Sequence, residues 1–268
     1  MDIAGLTHIG KVRQENQDGF LAQKIQPDGL AALPCIAVAD GMGGHALGHQ
    51  ASETALRILQ ESIEKNPDRL PFGAELARKV LLSAHDAVRE LGQKDERVGT
   101  TLTFAFIRGK HVIYGHIGDS RVYLYRAGIL TQLTTDQTWD VYSKKHGLQN
   151  EHGRALQQAI GVGETLEPET GEIMLGANDL LMVCTDGLTK MMTDAEIAGE
   201  VKRAKTAQAA CDRLLSFALD RGGKDNVAIS VLRAAEPPVV GAKSPRMWAL
   251  VAAITLVILA VGVVYLNS

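Results

Sequence analysis

Cysteine is scarce and poorly placed for structural work. The 268-residue chain has three, Cys35, Cys184 and Cys211. An odd, widely spaced set excludes a disulfide framework and a zinc ribbon, and fits reduced cytosolic thiols. The chain also lacks a long basic stripe, and its net charge is -3. Nucleic acid is therefore not expected as a partner, because nothing is arranged to release counterions. There is no repeat at solenoid or propeller period. The start, Met1-Asp2-Ile3-Ala4-Gly5, has no basic region followed by an apolar core, so no secretory signal is expected. The turn Gly41-Met42-Gly43-Gly44 has no Lys-Ser/Thr after it and lacks dinucleotide-fingerprint spacing, which removes the common nucleotide-binding loops.

What is present is an ordinary globular composition, 46% hydrophobic and 22% charged, long enough for a well-filled core. The C-terminus differs from the rest. Met247 to Leu266 carries no charge, and about 20 residues at helical rise span the ~30 Å core of a bilayer. Trp248 and Tyr265 stand near its ends, and Lys243 and Arg246 flank its N-terminal side. The expectation is a domain over 1–235, a linker over 236–246 and a transmembrane helix over 247–266. Positive flanking charge places the domain in the cytoplasm, on the inner face of a membrane crossed once.

Within the domain, Ile36 to Ala39 reads as a strand ending at Asp40. Amphipathic helices follow, at about Gly48 to Glu64 and Gly73 to Leu91. Thr100 to Ile107, His111 to Ile117, Arg121 to Arg126 and Leu130 to Leu133 read as an antiparallel meander with short turns. Thr135 to Glu172 is irregular and polar, with a short helix expected at Arg154 to Ile160. An apolar strand at Leu180 to Thr185 ends at Asp186; helices at Asp194 to Lys202 and Thr206 to Arg221 and a strand at Val227 to Leu232 complete the order. Helices between groups of antiparallel strands predict an α+β fold, a four-layer αββα sandwich of two antiparallel sheets with helices outside.

Asp40, Asp186 and Asp225 each lie at one end of an apolar strand. A single Asp-Gly pair is usually a turn or a helix cap. Several carboxylates converging from strand ends would raise one another's pKa and could not all ionise without a cation. Oxygen ligands of this kind suit Mg²⁺ or Mn²⁺. Two such ions can activate a bridging water and clamp an in-line phosphoryl displacement.

The segments Arg13-Gln14-Glu15-Asn16-Gln17-Asp18, Val38 to His45, Gly99-Thr100-Thr101, Gly115 to Arg121, Cys184 to Leu188 and Lys224-Asp225-Asn226-Val227 resemble, in order, the motifs of the PPM (protein phosphatase 2C) family, bacterial branch. The resemblance runs from about Asp2 to Arg233. It implies a protein serine/threonine phosphatase using two Mn²⁺ or Mg²⁺ ions, with a third at a weaker site. By resemblance, Asp40 bridges both metals and Gly41 offers its backbone carbonyl to one. Asp186 and Asp225 match ligands of the other, and Asp18 acts through a water. Asp119 matches a ligand of the third ion, and Arg13 the arginine that holds the phosphate. Asn226 and Ser120 match orienting residues. Implied partners are Ser/Thr-phosphorylated proteins, including a bacterial Ser/Thr kinase or its substrates.

The chain departs from the pattern in two places. Met42 stands where some members carry a histidine proposed as general acid; His45, nearby, is the candidate, with a loop or surface histidine as the competing reading. Asp136-Gln137-Thr138-Trp139 stands where relatives often read Asp-His-Ser, and the segment before Arg154 is short. A cysteine-based phosphatase is excluded: six positions after Cys35, Cys184 and Cys211 stand Gly41, Lys190 and Phe217, none an arginine. The alternative is a membrane-tethered pseudophosphatase that binds phosphoproteins. It predicts a lost ligand aspartate, and none is lost.

Overall fold

The computed structural model describes residues 1–27, 29, 31–43, 46–65, 71–93 and 98–234. All lie in the unit Met1–Ala235. The expected linker (236–246) and membrane span (247–266) lie outside the described residues, as does His45. Among the described residues no helix is long and apolar enough to cross a membrane.

Two antiparallel sheets form the centre. One runs in the order β1 (Asp2–His8), β11 (Val227–Arg233), β10 (Leu180–Cys184), β7 (Arg121–Arg126) and β8 (Ile129–Gln132). The other runs β2 (Asp18–Ile25), β3 (Leu33–Met42), β5 (Leu102–Arg108), β6 (His111–Ile117) and β9 (Glu169–Met174), with β4 (Gly99–Thr100) paired to the end of β3. Side-chain alternation in β3 shows why the sheets stack. Cys35, Ala37 and Ala39 pack outward under α1 (Ala46–Lys65) and α2 (Ala74–Leu91). Ile36 and Val38 face inward, against Val183 of β10 and Ala228 of β11. On the far side, Met182, Ile229 and Val231 meet Ile197 and Val201 of α5 (Asp194–Arg203) and Leu214 of α6 (Ala207–Asp220). The result is two sheets with helices on both outer faces, as the alternation of helices and strand groups predicts.

The helix stripes hold. Ala51, Ala55, Leu59 and Ile63 of α1 are buried, as are Leu76, Val80, Ala84 and Val88 of α2. Thr193 starts α5 with a reciprocal cap, its hydroxyl accepting from the Glu196 N–H while the Glu196 carboxylate accepts from the Thr193 N–H.

Three expectations change. The central strands are not one meander. β5 pairs with β6 and β7 with β8, but β6 and β7 belong to different sheets. Gly118, at φ +111°, turns the chain across; a Cβ there would meet the Thr101 side chain at 2.5 Å. No helix forms at 154–160. That stretch is held extended by the bridges Thr138–Leu156 and Thr100–Ile160. The helix is instead α3 (Trp139–His146), closed by Gly147 in the left-handed conformation. Finally, β3 does not stop at Asp40, because Gly41 and Met42 go on to pair with Thr100 and Gly99.

Candidate metal-dependent active site

The floor of the site is built where the two sheets abut. Antiparallel pairing sets Asp18, the first residue of β2, opposite Asp40 of β3. The Asp40 backbone is pinned on both sides. Its N–H donates to Thr101 Oγ1 (2.9 Å), and its carbonyl accepts from the Thr101 N–H (2.9 Å) and Thr100 Oγ1 (3.0 Å). Asp186 follows β10 and opens the short helix α4 (Asp186–Thr189). Asp225 lies two residues before β11. Asp119 lies on the crossing between β6 and β7. Asp40, Asp119, Asp186 and Asp225 line one cleft of about 440 Å³, with Gly41 and Arg13; Asp18 is buried behind them, 4% exposed.

Close backbone approach makes this convergence possible. A Cβ on Gly187 would stand 1.8 Å from the Asn226 carbonyl, so only glycine lets α4 reach the loop that carries Asp225. Asn226 in turn fixes the Arg13 loop. Its Nδ2 donates to the carbonyls of Ile9 and Glu15 (both 2.9 Å), and its Oδ1 accepts from the Gln17 N–H (3.0 Å). Ser120 Oγ hydrogen-bonds Thr101 Oγ1 at 2.8 Å.

The electrostatics are those of crowded acids. Burial lifts Asp18 to about 7; the hydrogen bond from Thr185 Oγ1 (2.7 Å) opposes this, while Asp186 and Asp225 add to it. Burial and then Asp18, Asp186, Asp119 and Asp225 raise Asp40 well above the usual carboxylate range. Burial and Asp186 lift Asp119 to about 7 against the pull of Lys190. Burial also pushes Asp225 upward, but Lys190 and Arg13 outweigh it and hold Asp225 below its ordinary value. Arg13 Nη2 sits 2.8 Å from Asp225 Oδ1, with the arginine side chain 54% exposed at the lip. Lys190 Nζ bridges Asp186 Oδ2 (2.5 Å) and Asp225 Oδ2 (3.1 Å).

These residues fit divalent cations. The carboxylates cannot all ionise near neutrality unless a cation joins them. In addition, Asp186 Oδ1 is buried with no hydrogen-bond partner among the described residues, which leaves one hard oxygen for a cation. Among the described residues no three acidic or imidazole groups stand at the spacing of a finished coordination shell. Arg13 and Lys190 draw Asp225 toward themselves instead. The charge of the cluster decides for a cation, because spacing adjusts by side-chain rotation and a surplus of buried charge does not.

Sequence reasoning brought Asp18, Asp40, Gly41, Asp119, Asp186, Asp225 and Arg13 forward, and the fold gathers them. It missed the parts played by Lys190, which bridges two acids, and by Thr185, which orients Asp18. The i, i+4 spacing of Asp186 and Lys190 on a helix was the one available signal for the lysine.

Crowded carboxylates with an arginine at the lip describe a metal-assisted hydrolase of phosphate esters. Comparison with known proteins makes this particular: the family model described as Protein phosphatase 2C matches residues 4–225, and the chain belongs to that family. It is 32% identical over 242 residues to the protein phosphatase PhpP of Streptococcus pneumoniae strain D39, covering 87% of this chain and 97% of that one. The solved serine/threonine phosphatase of S. agalactiae is 32% identical with a TM-score of 0.77, covering 88% of this chain and 99% of that chain. The catalytic domain of the phosphatase PstP, solved with two manganese ions, is 29% identical with a TM-score of 0.71, covering 87% and 97%. The chain is thus a protein serine/threonine phosphatase of a family that works with two Mn²⁺ or Mg²⁺ ions.

Proposed function

We propose that Asp40, Asp186, Asp225 and the Gly41 carbonyl hold the two ions, that Asp18 acts on them through a water, and that Asp119 serves a third ion. The observation that carries this is the gathering of five aspartates at one cleft, one of which, Asp186, keeps a buried oxygen with no hydrogen-bond partner among the described residues. Bound Mn²⁺ or Mg²⁺ supplies a nucleophilic water at neutral pH and offsets the charge that builds on the phosphoryl group. Thr185 holds the Asp18 carboxylate in one orientation. Arg13, half-exposed and fixed by the Asn226 clamp, offers a guanidinium fork to the phosphate oxygens of the substrate. His45 is kept as a candidate donor of the leaving-group proton, on sequence position alone.

The substrates in this reading are phosphoserine and phosphothreonine on proteins, and the enzyme opposes a bacterial Ser/Thr kinase. The uncharged run 247–266, flanked by Lys243 and Arg246, supports a single-pass anchor that keeps the catalytic domain on the cytoplasmic face. The test is hydrolysis of a phosphothreonine peptide with and without chelator, by the full chain and by a chain ending at Pro237. Both should be active with Mn²⁺ and silent with chelator, and only the full chain should sediment with membranes. Turnover that survives full chelation would sink the two-metal reading. A soluble full chain would sink the anchor.

A further inference from the structure

Asp119 stands on the crossing between the two sheets, and one residue, Gln137, clamps that crossing with its side chain and its backbone. Gln137 Oε1 accepts from the Gly118 N–H (2.8 Å), and the Gln137 N–H donates to the Gly118 carbonyl (2.8 Å). Gly118 is thereby tied at both its polar backbone atoms, in a conformation that only glycine adopts easily. Gln137 is itself fixed from both sides. Its neighbour Asp136 takes a two-pronged bond from Arg121 of β7 (2.8 and 2.7 Å). Its own carbonyl accepts from the Gln157 N–H (2.8 Å). Gln157 directly follows Arg154, Ala155 and Leu156, which line the cleft. Gln137 therefore joins the Asp119 crossing to the segment that covers the site, and its neighbour Asp136 ties the pair to β7.

We propose that Gln137 is a positioning residue, clamping the Gly118 peptide so that Asp119 is held at the cleft and tying that loop to the cover segment. The proposal rests on the reading of Asp119 as a metal ligand. It assigns a task to the position where the chain departs from its relatives. A glutamine amide can accept from Gly118 at this reach; an apolar side chain of the same length cannot.

The experiment is a double-mutant cycle on the full chain with a phosphothreonine peptide across a Mn²⁺ series. Gln137→Met should lower kcat roughly tenfold, the scale of a small misplacement at a reacting centre. It should also raise the Mn²⁺ needed for half-maximal rate and for half-maximal gain in Tm of the chelator-stripped chain, and leave the peptide KM within about twofold. Gln137→Glu, which keeps the acceptor, should restore most of the rate. In an Asp119→Asn background, Gln137→Met should change nothing further. Independent, multiplying losses in the double variant, or a wild-type rate in Gln137→Met, would overturn the proposal. Full activity of Asp119→Asn by itself would overturn the ligand reading beneath it, and this proposal with it. If Gln137→Met does not fold, Gln137→Asn, one methylene too short, takes its place in the cycle.

Discussion

The floor and the cover of this cleft are built on opposite terms. The floor is strand-borne: Asp18 and Asp40 face each other across β2 and β3, and Asp186 and Asp225 flank β10 and β11. Its backbone is tied down by bonds between residues far apart in sequence, such as the Asp40 N–H to Thr101 Oγ1 and the Gln17 N–H to Asn226 Oδ1. The cover, from Thr135 to about Glu167, is a short helix and extended chain held by two isolated bridges and an aromatic group in which Trp139 meets Tyr142 and His152. Regular strands carry the acids, and irregular chain with one short helix carries the cover.

The largest effect should follow from striking the floor at its centre. Asp40→Asn should cut turnover by more than about 100-fold while the fold survives, since even outer partners of metal ligands cost 10–100-fold. Circular dichroism and steady-state rates check this, and a near-normal rate would remove Asp40 from the ligand set. Arg13→Ala should lower kcat/KM by roughly 10–100-fold, the worth of a hydrogen bond to a charged group, with Mn²⁺ binding retained. Unchanged kcat and KM would contradict its role.

Stability should divide along the same line. Gly187→Ala drives a methyl into the Asn226 carbonyl and should cost about 3 kcal/mol or more in global unfolding. Trp139→Ala should loosen only the cover, moving Tm by no more than about 2 °C while raising peptide KM a few-fold. Equal losses of Tm in the two variants would erase the distinction between floor and cover.

The pH response is the finest test. Asp18 and Asp119 have folded pKa values near 7, above an ordinary value of 3.8. The folded state therefore binds more protons than the unfolded state between about 4 and 7, and the chelated protein loses stability as pH rises through that window. Buried His116, lowered to about 4 by burial, works in the opposite sense below 6.5, with or without metal. The gain in Tm on adding Mn²⁺ cancels that common contribution and should be larger at pH 8 than at pH 5.5. Melting curves at the two pH values decide it; a gain independent of pH would detach the acids from the metal.

Legibility in the sequence follows the same division. Asp40 and Asp186 stand out because an apolar run precedes each and a glycine follows, and the stripes of α1 and α2 are plain at i+4. The convergence of the aspartates came from family resemblance, because strand order is not written in local pattern. The crossing at Gly118 stayed hidden, since β6 and β7 read as neighbours until the left-handed turn parts them. Helix α3 stayed hidden because it is short, polar and buries little. Lys190, Thr185 and Gln137 act through partners brought near only by the fold.

The claim on which the account depends is that the strand-borne carboxylates are the metal site. Calorimetric titration of the chelator-stripped chain with Mn²⁺ tests it most directly. Wild type should bind two ions tightly and a third more weakly, in competition with Mg²⁺, and Asp40→Asn should lose the tight binding with its fold intact. Mn²⁺ binding of unchanged stoichiometry and affinity in Asp40→Asn would contradict it.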